Sequence, residues 1–129
     1  RDAGRYALAT DVAERVGLAQ QVNQLAGALS HGEQRQLEVG LALATRPKLL
    51  LLDEPMAGMA HEDIDRVANI IREIGRSRTI LMVEHNLSVV STLCTTITVL
   101  ARGRVLAEGD YATVSQDPRV LEAYVGVEA

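Results

Sequence analysis

Residues 29–55 read LSHGEQRQLEVGLALATRPKLLLLDEP, from Leu29 to Pro55. Within them lie a capped helix start, an apolar helix, a Pro-Lys break and a run of four leucines that ends in two adjacent carboxylates. Ser30 and Glu33 have capping-box spacing: the serine oxygen accepts from the N–H of Glu33, and the glutamate reaches back to the N–H of Ser30. A helix from about Gly32 to Thr45 is expected, with Leu37, Leu41 and Ala44 inside and Val39 and Leu43 widening the apolar arc. Pro47 ends it by disfavouring the helical conformation of Arg46. The leucine run, Leu49 to Asp53, suits a parallel-sheet strand buried on both faces. Asp53 and Glu54 then sit at the strand's C-terminal end, where open α/β sheets place their ligand crevice. Taken alone, Asp-Glu-Pro fits a polar turn leaving a core strand better than it fits a site.

Upstream, Tyr6, Ala9, Val12, Ala13 and Val16 recur at helical spacing, and Gly17 supplies a stop, which predicts a helix over 3–16 with one buried stripe. The polar segment Gln20 to Gln24 reads as a connection with one helical turn. Downstream, Pro55 to Ala60 is a small-residue loop, and Ile64, Val67, Ala68, Ile71 and Ile74 restore helical period over 61–75, with Gly75 as its cap. Thr79 to Glu84 is a second apolar strand. Strand, helix and strand make a βαβ unit with parallel strands, so Asp53-Glu54 and Glu84-His85 should open on one edge. Asn86 caps a short helix over 87–93. Thr95 to Ala101, the turn Arg102-Gly103 and Arg104 to Ala107 read as a β-hairpin. Asp110 caps a helix over 111–115, and Asp117-Pro118 starts a last helix that runs through Tyr124.

Composition narrows the function classes. The 129 residues fit one domain, and a domain near this size buries roughly two-thirds of its unfolded surface. With 47% hydrophobic residues, no Trp or Phe and only three Tyr, the core must be aliphatic, and there is no aromatic platform for stacking bases. A formal charge of −4 argues against a nucleic-acid footprint, which needs a basic face. The single cysteine, Cys94, forms no internal disulfide and fits a reducing compartment. No run approaches a membrane span, because Glu84, His85 and Asn86 interrupt the longest candidate. The chain opens on Arg1 rather than Met, which suggests a piece of a longer protein.

Three motifs, LSHGEQRQLEVGLALA, LLLLDEP and LMVEH, resemble in order and spacing the C-terminal portion of the nucleotide-binding subunit of ATP-binding cassette (ABC) transporters. Ser30 precedes Asp53 by 23 residues, and Asp53 precedes His85 by 32. The resemblance covers essentially the whole chain. The loop MAGM, the segment EHNLSVV and the tail GRVLAEGDYATVSQDPRVLEAYVG look most like ATPases that energise uptake of branched-chain amino acids and related amides such as urea. The resemblance implies an α/β fold: a partial P-loop NTPase with a mainly parallel sheet, plus a C-terminal β-hairpin and helices. As one domain, 1–129 would divide into a signature-helix region (1–46), a core from Walker B strand to switch histidine (47–94), and the hairpin with its helices (95–129).

Site residues are implied by the same resemblance. Leu29 to Glu33 matches the signature pentapeptide, usually LSGGQ, which approaches the γ-phosphate of ATP held by the opposite subunit; a helix N-terminus is a ready anion site. Ser30 and Gly32 are the expected contacts. His31 and Glu33 stand where the family most often has Gly and Gln, and Glu33 is tolerable near a triphosphate if it turns back to the N–H of Ser30. Asp53 matches the Walker B aspartate that holds Mg²⁺ through water. Glu54 matches the glutamate that polarises the attacking water, and His85 the switch histidine that reaches the γ-phosphate. Ala60 replaces the aspartate that usually ends the loop after the glutamate.

The sequence contains no G-x-x-x-x-G-K-[ST]. It also lacks the glutamine loop and the adenine-stacking aromatic residue. The 129 residues alone are therefore expected to bind ATP weakly or not at all and not to turn it over. In the family's sheet order the phosphate-loop strand lies between the 79–83 and 95–101 strands. Its absence would leave strand edges open to self-association, rearrangement or a companion chain. Implied partners are a second ATP-binding subunit and transmembrane permease subunits on the inner face of the cell membrane, with no nucleic acid. Two rivals stay open: a non-enzymatic module docking on a permease or partner ATPase, and a soluble DNA-repair-type relative, against which the lack of heptads and of a basic face counts.

Overall fold

The computed structural model describes residues 2–125; Arg1, and Gly126 at the end of the tail motif, lie outside the described residues. The chain divides between His85 and Asn86 into two compact units. The first contains α1 (Ala3–Arg15), short 3₁₀ turns at Ala19–Gln21 and Ala26–Ala28, α2 (His31–Ala44), β1 (Leu49–Asp53), α3 (His61–Gly75) and β2 (Thr79–Val83). As expected, β1 and β2 pair in parallel, with Leu49 opposite Thr79 and Asp53 opposite Val83.

Local chemistry accounts for the boundaries. Ser30 and Glu33 form both bonds of the capping box at the start of α2. Gly17, at φ +74°, takes the left-handed conformation that stops α1. Arg46, ahead of Pro47, leaves the helical region for φ +53°. Gly75 is the last residue of α3 rather than its cap, which falls on Arg76.

Packing departs from the hydrophobic pattern in three places. On α1 only Val12 and Val16 of the expected stripe are buried, while Tyr6 is 76% exposed and Ala9 is also exposed. The buried face of α2 is Gly32, Gln36, Val39, Gly40 and Leu43, with Leu41 outside. These positions do share one helical face, but small size selects two of them: a Cβ on Gly40 would lie 3.2 Å from Val16. Close approach of α1 and α2 favours glycine there, because any larger residue would push Val16 back by a few tenths of an ångström, and a hydrophobicity pattern scores that poorly. Third, β1 is not buried on both faces. Leu50 is buried and Leu52 packs against the core, whereas Leu49, Leu51, Leu81 and Val83 are exposed. Side chains alternate along each strand, and α1, α2 and α3 supply an aliphatic layer on one side only.

That layer joins Val12, Val16, Leu18, Val39, Leu43, Leu50, Ile70 and Ile74, with Leu52 and Ile80 packed against it. Each such side chain stabilises by about 1.5–3 kcal/mol when fully buried. Gln36 is buried among them and donates through Nε2 to the carbonyl of Val16 at 2.9 Å. This bond satisfies a carbonyl at the end of α1.

The second unit holds α4 (Leu87–Leu93), a hairpin of β3 (Ile97–Ala101) and β4 (Arg104–Gly109), α5 (Tyr111–Ser115) and α6 (Pro118–Val125). Asn86 and Asp110 cap α4 and α5 through Val89 N–H and Thr113 N–H. Arg102 and Gly103 both have positive φ, the requirement of a two-residue type I′ hairpin turn. The register shifts between Val99 and Leu100, and β4 runs two residues past its expected end. Val114 and Val120, from α5 and α6, are buried. Among the described residues no helix is long and apolar enough to cross a membrane.

Candidate functional site

The C-terminal ends of β1 and β2 carry the acids and the histidine. Asp53, the last residue of β1, is exposed and lies on the same side as Leu49 and Leu51, opposite the core. Glu54 comes next at φ +44°, a left-handed conformation that costs a non-glycine residue on the order of 1–2 kcal/mol. Its N–H donates to Val83 O at 2.8 Å, extending the ladder one residue beyond the strand, and its carbonyl accepts from Ala57 N–H at 3.1 Å. The strained turn aims Glu54 at the end of β2. His85 Nδ1 lies 3.4 Å from Glu54 Oε1, with both side chains open to solvent.

Between these two residues stands one that sequence reasoning passed over as part of a polar strand end. Glu84 accepts from Met56 N–H through Oε1 at 3.0 Å and from His85 N–H through Oε2 at 3.3 Å. A single carboxylate thus holds the loop after Glu54 and the backbone of His85. Only the register of two strands distant in sequence creates that bridge. The available signal was an acid directly before the histidine.

The second cluster lies at the start of α2. Glu33 N–H donates to Ser30 Oγ at 3.2 Å and Ser30 N–H donates to Glu33 Oε2 at 2.8 Å, while Gln21 Nε2 binds Glu33 Oε1 at 3.1 Å. The Glu33 carboxylate is therefore turned back onto Ser30, the arrangement under which its charge is tolerable near an anion. Gly32 is buried, and a Cβ there would come within 2.7 Å of the Asp63 carboxyl carbon. His31 is exposed, with Nε2 3.3 Å from Ala57 O. It thus touches the loop after Glu54. Ala60 starts α3 without a side-chain cap.

So the structure brings Asp53, Glu54 and His85 to one strand end, and Ser30, His31, Gly32 and Glu33 to one helical turn, within the same unit. A cleft of about 190 Å³ beside Asp53 is lined by Arg35, Glu38, Leu51 and Pro55 among others. A larger concavity, about 500 Å³, lies at the opposite strand ends among Lys48, Arg76 and Arg78, away from the carboxylates. Among the described residues no three His, Cys, Asp or Glu side chains are grouped to hold a metal ion. A lone exposed carboxylate such as Asp53 suits only a hard cation that keeps most of its waters and takes other ligands from phosphate, as Mg²⁺ does.

Comparison with known proteins bears on this geometry. A family model described as ABC transporter matches residues 3–57, and one described as branched-chain amino acid ATP-binding cassette transporter matches residues 104–129. The high-affinity branched-chain amino acid transport ATP-binding protein BraF of Pseudomonas aeruginosa is 35% identical over 115 residues, covering 88% of this chain and 45% of its own length. BraG of the same organism is 38% identical over 110 residues, covering 84% and 47%. LivG of Escherichia coli is 35% identical over 115 residues, again covering 88% and 45%. The chain thus spans about half the length of the curated relatives it matches. Among solved structures, the ADP conformation of MJ1267, an ATP-binding cassette of an ABC transporter, superposes with a TM-score of 0.88 at 31% identity, covering 98% of this chain and 52% of that one. A nucleotide-free ATP-binding cassette from an ABC transporter gives 0.82 at 29% identity, with 95% and 50% covered. The fold is that of the ABC ATPases, and the chain belongs to the ABC transporter family, its relatives carrying names of ATP-binding proteins for branched-chain amino acid transport.

Proposed function

We propose that this chain is the part of an importer's ATPase subunit that carries the hydrolytic carboxylate, the switch histidine and the signature turn, in a system taking up branched-chain amino acids or related amides. The observation that carries the proposal is the meeting of Glu54 and His85 at 3.4 Å beside Asp53, on the same unit as a capped, glycine-containing helix start. Phosphoryl transfer to water asks little covalent chemistry of a protein; positioning and electrostatics do most of the work. Glu54 accepts a hydrogen bond from the attacking water and polarises it. His85, 3.4 Å from Glu54 and held at its backbone N–H by Glu84, would reach the γ-phosphate of ATP. Asp53 would hold Mg²⁺, which supplies charge neutralisation at the phosphates. Ser30 and the N–H groups at the start of α2 serve the ATP of a second subunit. Partners are then that subunit and transmembrane permease subunits, at the inner face of the membrane.

The 129 residues contain no phosphate-cradling lysine loop, so on their own they should not turn over ATP. Purified chain should show no magnesium-dependent hydrolysis alone and should gain it when a polypeptide bearing the phosphate loop is added. Glu54→Gln should then abolish the gain. Hydrolysis by the chain alone that is lost in Glu54→Gln would refute its inactivity. No gain from a companion that binds it would favour the non-enzymatic docking module.

A further inference from the structure

We propose that His31 is a positioning residue that fastens the signature turn to the loop carrying Glu54, so that the two half-sites of this unit move as one piece. For its kinetic consequence the proposal rests on the function proposed for the chain; the fastening itself rests on geometry alone.

His31 is the first residue of α2, and its ring leaves the helix to reach Ala57, 26 positions later, with Nε2 3.3 Å from the Ala57 carbonyl. A carbonyl only accepts, so Nε2 must carry the proton. The N–H of Ala57 in turn donates to Glu54 O at 3.1 Å. Hydrogen bonds therefore run from the residue after Ser30, through Ala57, to the residue after Asp53.

Two glycines permit the fit. Gly58 has φ +72°, which favours glycine, and a Cβ on it would stand 3.3 Å from His31 Nε2, so a side chain there would be strained and would press the ring back by a few tenths of an ångström. Gly32 gives Asp63 of α3 the same close approach. The loop is thus held at Met56 by Glu84 and at Ala57 by His31, while Ala60 contributes no cap bond where it enters α3. Of these two side chains, only His31 comes from the signature turn.

Amide hydrogen exchange on the 129-residue chain tests this, with His31→Ala, His31→Gln and, as a control, His61→Ala. Losing one net hydrogen bond should speed exchange of the Ala57 amide by roughly two- to ten-fold in His31→Ala. His31→Gln, whose amide N–H can donate to the same carbonyl, should restore protection, and His61→Ala should leave it unchanged. Ring ¹⁵N spectra of the unsubstituted chain should show His31 protonated at Nε2, with proton contacts to Ala57 or Gly58. An unprotonated Nε2, unchanged Ala57 exchange in His31→Ala, or failure of the glutamine variant to restore it would each overturn the proposal. In the complemented ATPase, His31→Ala should lower kcat with KM unchanged. If the unsubstituted assembly turns over no ATP, the proposed function falls while the exchange result still decides the fastening.

Discussion

The turn that opens α2 and the loop that leaves β1 carry the two proposed half-sites in opposite ways. At the α2 turn, the Ser30 and Glu33 N–H groups are satisfied by side chains three residues away, and Ser30 keeps an extended conformation. The β1 loop places a non-glycine residue, Glu54, in left-handed backbone and depends on Glu84 and His31, 30 and 23 positions distant, to hold Met56 and Ala57. One element is stable from within; the other is strained and held from outside. Strain of this kind persists where surrounding contacts over-determine it, and it concentrates at functional sites. The contrast therefore supports placing the chemistry at Glu54 and a static anion contact at Ser30.

Substitutions can break this contrast. Gly32→Ala should have the largest effect. An alanine inside a helix normally gains a little, but here its Cβ meets the Asp63 carboxylate at 2.7 Å, and overpacking should destabilise the chain by about 1–2 kcal/mol in urea unfolding. Removing the carboxylate in Gly32→Ala/Asp63→Ala should return most of that loss, a coupling that a double-mutant cycle measures.

Ser30→Ala and Glu54→Gly should move stability in opposite directions. Loss of the cap should cost about 1 kcal/mol. Glycine at φ +44° should relieve strain and gain about 0.5–1 kcal/mol net of its own chain entropy, while abolishing the complemented ATPase. If both substitutions destabilised equally, the two elements would not differ in how they are held.

The smallest effect distinguishes hydroxyl caps from charged ones. Hydrogen bonds from Arg119 lower the Asp117 pKa from its ordinary 3.8 to about 2 at the start of α6. A depressed carboxylate stabilises the folded state above its unfolded pKa, and that contribution is lost as pH falls through the folded value. Protection of the first α6 amides should thus fall between pH 4 and about 2 and lose this dependence in Asp117→Asn, with only a minor effect on global stability because Arg119, the partner that lowers the pKa, is itself largely exposed and screened by solvent.

How much of this was legible in the sequence depends on the reach of each interaction. Capping, breaking and hairpin-turn residues act over two to four positions, so Ser30-Glu33, Pro47, Asn86 and Arg102-Gly103 located their elements to within a residue or two. The βαβ unit could be read from period and order, and its parallel pairing put Asp53-Glu54 beside Glu84-His85. Roles for these residues came from the motif resemblance, because a carboxylate pair after a strand is chemically ambiguous by itself.

The sequence by itself determined the order and kind of the elements and the strand ends where acids and histidine gather. Tertiary structure alone decided which neighbours those residues meet. It made Glu84 a bridge, joined His31 to Ala57, buried Gln36 and left one face of β1 and β2 uncovered. The physical reason is that hydrophobic periodicity reports how much a side chain gains from leaving water, whereas contacts between distant segments depend on the small residues, Gly32, Gly40 and Gly58, that let backbones approach closely enough to make them.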